Sequence, residues 1–211
     1  MRQVVLLLLI VLLAACGSED KGQVATETGN TVSDWRLVIQ LPEVELPVKL
    51  HLATDGSEAW VSNGQEKVVV SEISRQGDNW RLYFPAFNNT LLLHQEGERL
   101  KGSLTLVKRG YEQVMQVTGE PDPGYRFLPN PVASSDFTGR WEVGFVDDDG
   151  KQSAAIGEFD QQGSVVSGTF LTPLGDYRYL AGQVDGDMMY LSTLDGAHAF
   201  VFHAQILADG S

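Results

Sequence analysis

The chain contains a single cysteine, Cys16, among its 211 residues, so it cannot form a disulfide within itself. It also lacks the CxxC pair of a dithiol redox centre and the cysteine spacing of a zinc site. Its four histidines show no metal-ligand spacing, and no glycine-rich phosphate loop is present. The sequence therefore predicts no metal and no other cofactor, and the stability of the folded part must come from its own core.

Basic residues are scarce as well. Lysine and arginine number 15 against 28 aspartates and glutamates, which gives a formal net charge of −13. This acidic balance argues against binding to nucleic acid or to an anionic lipid surface, because both require a surplus of positive charge. The apolar run 4–13 is also too short for a membrane-spanning helix, which needs roughly 20 residues.

The N-terminal residues have the pattern of a signal peptide. Arg2 precedes the apolar run, which closes with the sequence Leu-Ala-Ala-Cys at residues 13–16. This ending resembles the lipobox of bacterial lipoproteins, in which the signal peptide, here residues 1–15, is removed and Cys16 is acylated. The resemblance implies a lipid anchor in the membrane, since each buried methylene contributes about 0.8 kcal/mol. An ordinary secretory signal that ends near a cysteine is the alternative.

The residues after the lipobox bear on localisation. Gly17 is not the aspartate that retains many enterobacterial lipoproteins in the inner membrane, so we expect the cell envelope, at the outer membrane and facing the periplasm. Residues 16–33 are small and polar and lack periodicity, which is typical of a flexible tether.

Apolar residues alternate with polar ones from Asp34 onwards. In "VELPVKLHL" one face carries five apolar side chains: Val44, Leu46, Val48, Leu50 and Leu52. Such alternation over many short segments indicates strands with one buried face, and the pairs Asn-Gly and Asp-Gly between them indicate tight turns. The predicted fold is all-β, an antiparallel meander that forms a barrel or a sandwich. We expect these residues to be buried: Trp35, Trp80, Leu82, Trp141, Leu191, Phe200 and Phe202.

The meander has the pattern of a duplication. Residues 121–131 hold four of the eight prolines and cannot form a central strand. The segments 77–94 and 186–203 on either side align without gaps. We therefore predict a first half over 34–120, a proline-rich crossover over 121–137 and a second half over 138–211.

The stretch "GDMMYLSTLDGAHAFVF", residues 186–202, brings three residue types of nucleophilic catalysis close together: Ser192, Asp195 and His198. A two-residue turn at Asp195-Gly196 would place Thr193 opposite His198. The histidine would then share a face with Met189, Leu191, Phe200 and Phe202. Ser192 would lie on the other face, and a serine and a histidine on opposite faces cannot share a proton. The sequence therefore predicts no catalytic residues in this stretch.

The sequence leaves two roles open for His198. It is either an inward histidine that bonds a backbone carbonyl or a tyrosine, or a pocket residue at the mouth of a barrel, with Tyr177 and Tyr179 as further pocket candidates. His51 and His203 fall on exposed faces by the same alternation.

Residues 168–211 carry a longer resemblance, in the pattern "GDYRYL…G…LS..DGAHAF". This pattern, with "NGQEKVVVSEI" and "GDNWRLYFPAFNNTL", resembles the N-terminal β-region of TlpA-like, thioredoxin-fold (redoxin) lipoproteins. In that family a C-terminal thioredoxin-fold domain follows and carries the CxxC dithiol, whereas no position here matches a redox residue. We expect the second half to be truncated before its return strand.

Three functions follow from the sequence. The first is a non-catalytic β-module of a membrane-anchored lipoprotein whose full-length form resembles a TlpA-like thiol-disulfide oxidoreductase. The second is a stand-alone lipoprotein β-barrel that binds a small apolar or peptide ligand. The third is a hydrolase whose residues lie far apart in the sequence, such as His198 with a carboxylate from another strand.

Overall fold

The computed structural model describes residues 31–207 except 109, 147 and 148. The expected signal peptide, Cys16 and most of the expected tether lie outside these residues. Every regular element within them is a β-strand, so the all-β prediction is confirmed. The described segments also contain no helix with the length and apolar character needed to span a membrane.

The first sheet has nine antiparallel strands from the N-terminal half. Its order is β4-β3-β2-β1-β9-β8-β7-β6-β5, so that the first and last strands pair in the middle. The strands are β1 (Val32–Gln40), β2 (Glu45–Ala53), β3 (Ala59–Asn63), β4 (Glu66–Val69), β5 (Glu72–Gln76), β6 (Asn79–Phe84), β7 (Asn89–Glu96), β8 (Arg99–Lys108) and β9 (Tyr111–Pro121).

The second sheet has seven strands from the C-terminal half. Its order is β10-β11-β12-β14-β15-β16, and the short β13 pairs with β12. The strands are β10 (Gly139–Val146), β11 (Gln152–Gln162), β12 (Val165–Thr172), β13 (Gly175–Asp176), β14 (Leu180–Asp185), β15 (Met188–Leu194) and β16 (Ala199–Gln205). The connection between the sheets, residues 122–138, contains no strand.

Both sheets curl into half-barrels, and each encloses its own core. The alternation in the sequence accounts for the inner faces: Leu37 and Ile39 of β1 and Leu50 of β2 are all fully buried in the first core. The second core contains several aromatic side chains, such as Phe137, Phe159 and Phe170.

The β15–β16 hairpin joins the two half-barrels. Leu191 belongs to the second core, whereas Leu194 at the end of the same strand is fully buried in the first core, where Ala199 and Val201 of β16 also pack. The first sheet holds the hairpin loop by two buried amides. Asn63 Nδ2 donates to the carbonyl oxygen of Leu194 (3.2 Å), and Asn89 Nδ2 donates to that of Gly196 (2.8 Å).

The predicted two-residue turn at Asp195-Gly196 is wrong. Leu194 pairs with Ala199 and Thr193 with Phe200, so the loop comprises the four residues 195–198. The side chain of Asp195 explains the longer loop, because its Oδ1 accepts hydrogen bonds from the backbone N–H groups of Ala197 (2.8 Å) and His198 (2.6 Å). The pairing shifts by two residues, which leaves the faces of the strands unchanged.

Burial follows the prediction for Trp35, Trp80, Leu82 and Leu191, which are all at most 6% exposed. It was wrong for Trp141, Phe200 and Phe202, which are only partly buried. These three lie on β10 and β16, which end the strand order of the second sheet. A side chain on such a strand has a neighbouring strand on one side only.

Candidate functional site

The structure gives the three residues of the stretch 186–202 separate surroundings. Ser192 is fully buried; its Oγ donates a hydrogen bond to the carbonyl oxygen of Pro47 (2.6 Å) and accepts one from Arg126 Nε (2.7 Å). His198 lies in the hairpin loop with its side chain 44% exposed, and its Nδ1 is 3.2 Å from Asp195 Oδ2. Ser192 is therefore a structural contact between the sheets, and the nearby aspartate and histidine hold the loop.

The candidate pocket residues His198, Tyr177 and Tyr179 do not share one site. His198 stacks on Phe200 at 5.1 Å between ring centroids, and Tyr177 packs on the same ring at 5.0 Å. Tyr177 and Phe200 line an aromatic cavity of about 470 Å³ between β10 and β16. Tyr179 is 56% exposed and lines a different cavity, beside β11 and β12.

Another cleft lies between the two sheets. Its volume is about 550 Å³, and its walls come from the outer face of β1–β3, the connection after β9, and strands β11, β12 and β14. Three cationic side chains, Arg36, Lys49 and Arg126, line it. Two carboxylates, Asp122 and Asp160, line it as well, so the cations exceed the anions in its wall by one although the whole chain is strongly acidic.

Arg126, in the connection between the sheets, makes four hydrogen bonds to uncharged acceptors. Nε donates to Ser192 Oγ (2.7 Å) and Nη1 to the carbonyl oxygen of Ser62 (3.1 Å). Nη2 donates to Asn63 Oδ1 (3.1 Å) and to the carbonyl oxygen of Ser192 (3.2 Å). A guanidinium has five N–H groups, so within the described part of the chain one N–H on Nη1 remains without an acceptor.

Two of the three cations in the cleft have a carboxylate partner among the described residues, and the third does not. Arg36 Nη1 lies 3.5 Å from Glu120 Oε1, and Lys49 Nζ lies 2.5 Å from Asp122 Oδ2. The hydrogen bond to Asp122 raises the pKa of Lys49 in spite of its partial burial. No carboxylate of residues 31–207, as far as they are described, lies within 4 Å of the Arg126 guanidinium.

Burial and the nearby Arg36 guanidinium lower the pKa of Arg126 to about 9. The side chain therefore remains cationic at neutral pH while its charge is uncompensated. An anion in the cleft would offset that charge.

A second polar group stands on the outer face of β1–β3. His51 Nδ1 is 2.7 Å from Asp34 Oδ1, and His51 Nε2 is 3.0 Å from Ser62 Oγ. The imidazole stacks on Trp60 at 4.6 Å between centroids with an interplanar angle of 10°. The ring lies on the outer face of the sheet, as the alternation predicts, but its neighbours cover most of it and leave the side chain 13% exposed.

The sheet register places these side chains together. Asp34 pairs with His51 across β1 and β2, and Ser62 of β3 pairs with Lys49, two residues before the histidine. Residues two apart on a strand share a face, so all of them point outwards on the same side of the sheet. Ser62 also lines the cleft between the sheets, which connects this group to Arg126.

Sequence reasoning missed both Arg126 and the Asp34–His51–Ser62 group. Arg126 lies in a connection without periodicity. The register of β1–β3 was the signal that could have revealed the group, because correct pairing of β1 with β2 sets Asp34 against His51.

Comparison with known proteins adds no relative. No protein-family model matches the chain, and no curated protein or solved structure shows significant similarity to it.

Proposed function

We propose that the chain is the ligand-binding β-module of a lipid-anchored envelope lipoprotein, and that a small anion binds in the cleft between the two sheets. The observation that carries this proposal is the uncompensated guanidinium of Arg126 in the wall of the cleft. Arginine is well suited to carboxylate and phosphate groups, because its planar N–H groups match their oxygens.

The dimensions of the cleft and the cationic side chains in its wall support a small anionic ligand. A volume of about 550 Å³ falls within the range of roughly 300–1,000 Å³ that is typical of small-molecule sites. The side chains of Arg36 and Lys49 add positive charge, although their carboxylate partners offset part of it. This ligand differs from the apolar or peptide ligand expected from the sequence.

The lipid anchor is the second part of the proposal. It rests on the lipobox pattern that ends at Cys16 and on the polar residues that separate it from β1. The acyl chains would hold the cleft near a membrane surface, from which the acidic module itself would be repelled.

Calorimetric titration with two probes, succinate and inorganic phosphate, tests the binding site. We expect binding to weaken at least tenfold in Arg126→Gln and to be retained in Arg140→Gln, which removes an exposed arginine on β10. Arg126→Lys keeps the positive charge but loses the paired N–H groups. It serves as a second variant in case Arg126→Gln loses binding only because the protein unfolds. Equal affinity of the wild type and Arg126→Gln, or binding of neither probe by the wild type, would overturn the proposal.

The resemblance to TlpA-like lipoproteins favours a second role, as the non-catalytic partner of a thioredoxin-fold domain. The structural observation in its favour is β16, which is the last strand in the order of the second sheet and borders the aromatic cavity. Titration of the isotope-labelled chain with a separate thioredoxin-fold domain of a TlpA-like protein should shift the amide resonances of β16. An unchanged spectrum would count against this role.

A further inference from the structure

The hydrogen bonds at His51 run from a carboxylate through an imidazole to a hydroxyl. Asp34 binds the Nδ1 atom, and Ser62 faces the Nε2 atom. Because an ionised carboxylate only accepts hydrogen bonds, Nδ1 must be the donor to Asp34. In the neutral imidazole the lone pair of Nε2 then points to the hydroxyl of Ser62. This is the tautomer that a general base needs in order to remove a proton from serine.

The distances fit that role. The two contacts of 2.7 and 3.0 Å lie within the roughly 2.6–3.2 Å expected between a nucleophile, its base and the group that orients the base. Stacking on Trp60 fixes the plane of the imidazole. Asp34 is also held from its other side, because its Oδ2 lies 3.4 Å from Lys49 Nζ.

Not every histidine of the first sheet has such partners. His94 Nδ1 lies 2.9 Å from Asn79 Oδ1, which is a neutral amide. An amide cannot stabilise an imidazolium as a carboxylate does. The complete series of carboxylate, imidazole and hydroxyl therefore marks His51 as more than a surface histidine.

Ser62 lies where a ligand of the cleft could reach it. It lines the cleft, and its backbone carbonyl accepts the hydrogen bond of Arg126 Nη1. Lys49, its partner in the strand register, lines the same cleft. An ester held at Arg126 by its anionic group would therefore lie beside Ser62.

We propose that Ser62 is a nucleophile that His51 activates for the hydrolysis of small carboxylic esters bearing an anionic group. Asp34 is a positioning residue that holds the imidazole. The choice of an anionic ester rests on the proposed anion site at Arg126, whereas the activation of Ser62 rests only on its contact with His51.

The reaction proceeds in two balanced steps. Ser62 Oγ attacks the carbonyl carbon of the ester while its proton passes to His51 Nε2, and the imidazolium then protonates the departing alcohol oxygen as the ester C–O bond breaks. Water attacks the resulting acyl-serine, and His51 takes a proton from that water and returns it to Ser62 Oγ. The products are one alcohol and one carboxylic acid, and no other reactant is consumed.

Labelling with a fluorophosphonate tests the activation of Ser62. We expect one adduct, located at Ser62 by peptide mass spectrometry, to form on the wild type and to be absent from Ser62→Ala. His51→Gln should slow labelling about 100-fold or more, because a general base contributes roughly 10²- to 10⁴-fold. Asp34→Asn should slow it as well, and Asp34→Glu should restore part of the rate.

The matched control is Ser74→Ala, which removes an exposed serine of β5 that makes no hydrogen bond to a histidine among the described residues, and its labelling should equal that of the wild type. Absence of an adduct at Ser62, or labelling that does not depend on His51 in a folded variant, would overturn the proposal.

Turnover of the mono-p-nitrophenyl ester of succinic acid separates this inference from the proposed anion site. Ser62→Ala should abolish turnover yet bind succinate as the wild type does. Arg126→Gln should raise KM for this ester while fluorophosphonate labelling of Ser62 persists. If succinate binds and Ser62 proves unreactive, the nucleophile proposal fails and the anion site stands. If Ser62 reacts and Arg126→Gln changes no KM, the choice of an anionic ester fails.

Discussion

Asn63 Nδ2 donates a hydrogen bond of 3.2 Å to the carbonyl oxygen of Leu194, and this bond ties β3 of the first sheet to β15 of the second. The Oδ1 atom of the same amide accepts a hydrogen bond from Arg126 Nη2. Asn63 is 1% exposed, so water cannot replace either partner. Asn63 therefore contributes both to fixing the cleft wall and to joining the two half-barrels.

Asn63→Ala should destabilise the protein by about 1–3 kcal/mol, because it leaves a buried carbonyl and a buried guanidinium N–H without a partner. Urea unfolding followed by tryptophan fluorescence measures the change. Asn79→Ala, which removes an exposed asparagine of β6, should change stability by less than about 0.5 kcal/mol. Equal stability of the two variants would show that the amide does not hold the sheets together.

Leu194 tests the packing of the hairpin into the first core. The side chain is fully buried, so Leu194→Ala should cost about 2–5 kcal/mol and lower Tm accordingly. Leu174→Ala is the matched control, since Leu174 is 100% exposed and should tolerate the change. A small effect at Leu194 would mean that the two half-barrels are stable without the hairpin end.

Ser192 distinguishes a structural serine from a reactive one. Ser192→Ala removes the hydrogen bonds to Pro47 and Arg126 and should cost about 1–3 kcal/mol in urea unfolding. The rate of fluorophosphonate labelling at Ser62 should stay within about twofold of the wild type. Loss of labelling in a folded Ser192→Ala protein would show that the reactive serine is Ser192 on β15 and not Ser62 on β3.

The fold could be predicted where a single strand carries its own signal. Alternation in β1 and β2 identified their buried faces, because each side chain points to one face or the other regardless of distant contacts. The same reasoning failed at Phe200 and Phe202. The burial of side chains on an edge strand depends on which distant parts of the chain pack against that strand. The sequence of the strand itself does not contain this information.

The candidate site could not be predicted for a similar reason. Ser62 and His51 come together through the register of three strands, and Arg126 reaches them from a connection without periodicity. The rejection of residues 192–198 as a local site used a turn two residues too short. It gave the correct faces for the strand residues only because a shift of two preserves the alternation, whereas His198 lies in the loop and has no strand partner.

Cys16→Ser tests the proposed lipid anchor at a cysteine that lies outside the described residues. After expression with its own signal, the wild-type protein should remain with the membrane fraction through salt and carbonate washes. The variant should be soluble after export, because a serine cannot receive the acyl chains and the acidic module has no electrostatic affinity for membranes. A variant that stays with the membrane after both washes would contradict the lipoprotein assignment.

Glu66 on β4 provides a test by pH. Burial raises the pKa of its carboxyl above 4.5, although Arg178, 3.7 Å away, acts in the opposite direction. Its Oε2 is buried and has no hydrogen-bond partner among the described residues. The folded state therefore holds this proton more tightly than the unfolded state. The stability that Glu66 contributes is fully present below about pH 4.5 and is lost as the pH rises through the folded pKa.

Glu66→Gln removes this titration. The variant should be more stable than the wild type at pH 7, where the wild type must keep a partly buried carboxylate charged, and the difference should shrink as the pH falls towards 4.5. Urea unfolding at pH 4.5, 5.5 and 7 measures it. Glu98→Gln, at an exposed glutamate in the turn before β8, serves as the control and should show little change in the difference. The opposite result is a stability difference, variant minus wild type, that is lower at pH 7 than at pH 4.5. It would mean that the contact with Arg178 outweighs the burial of the carboxylate.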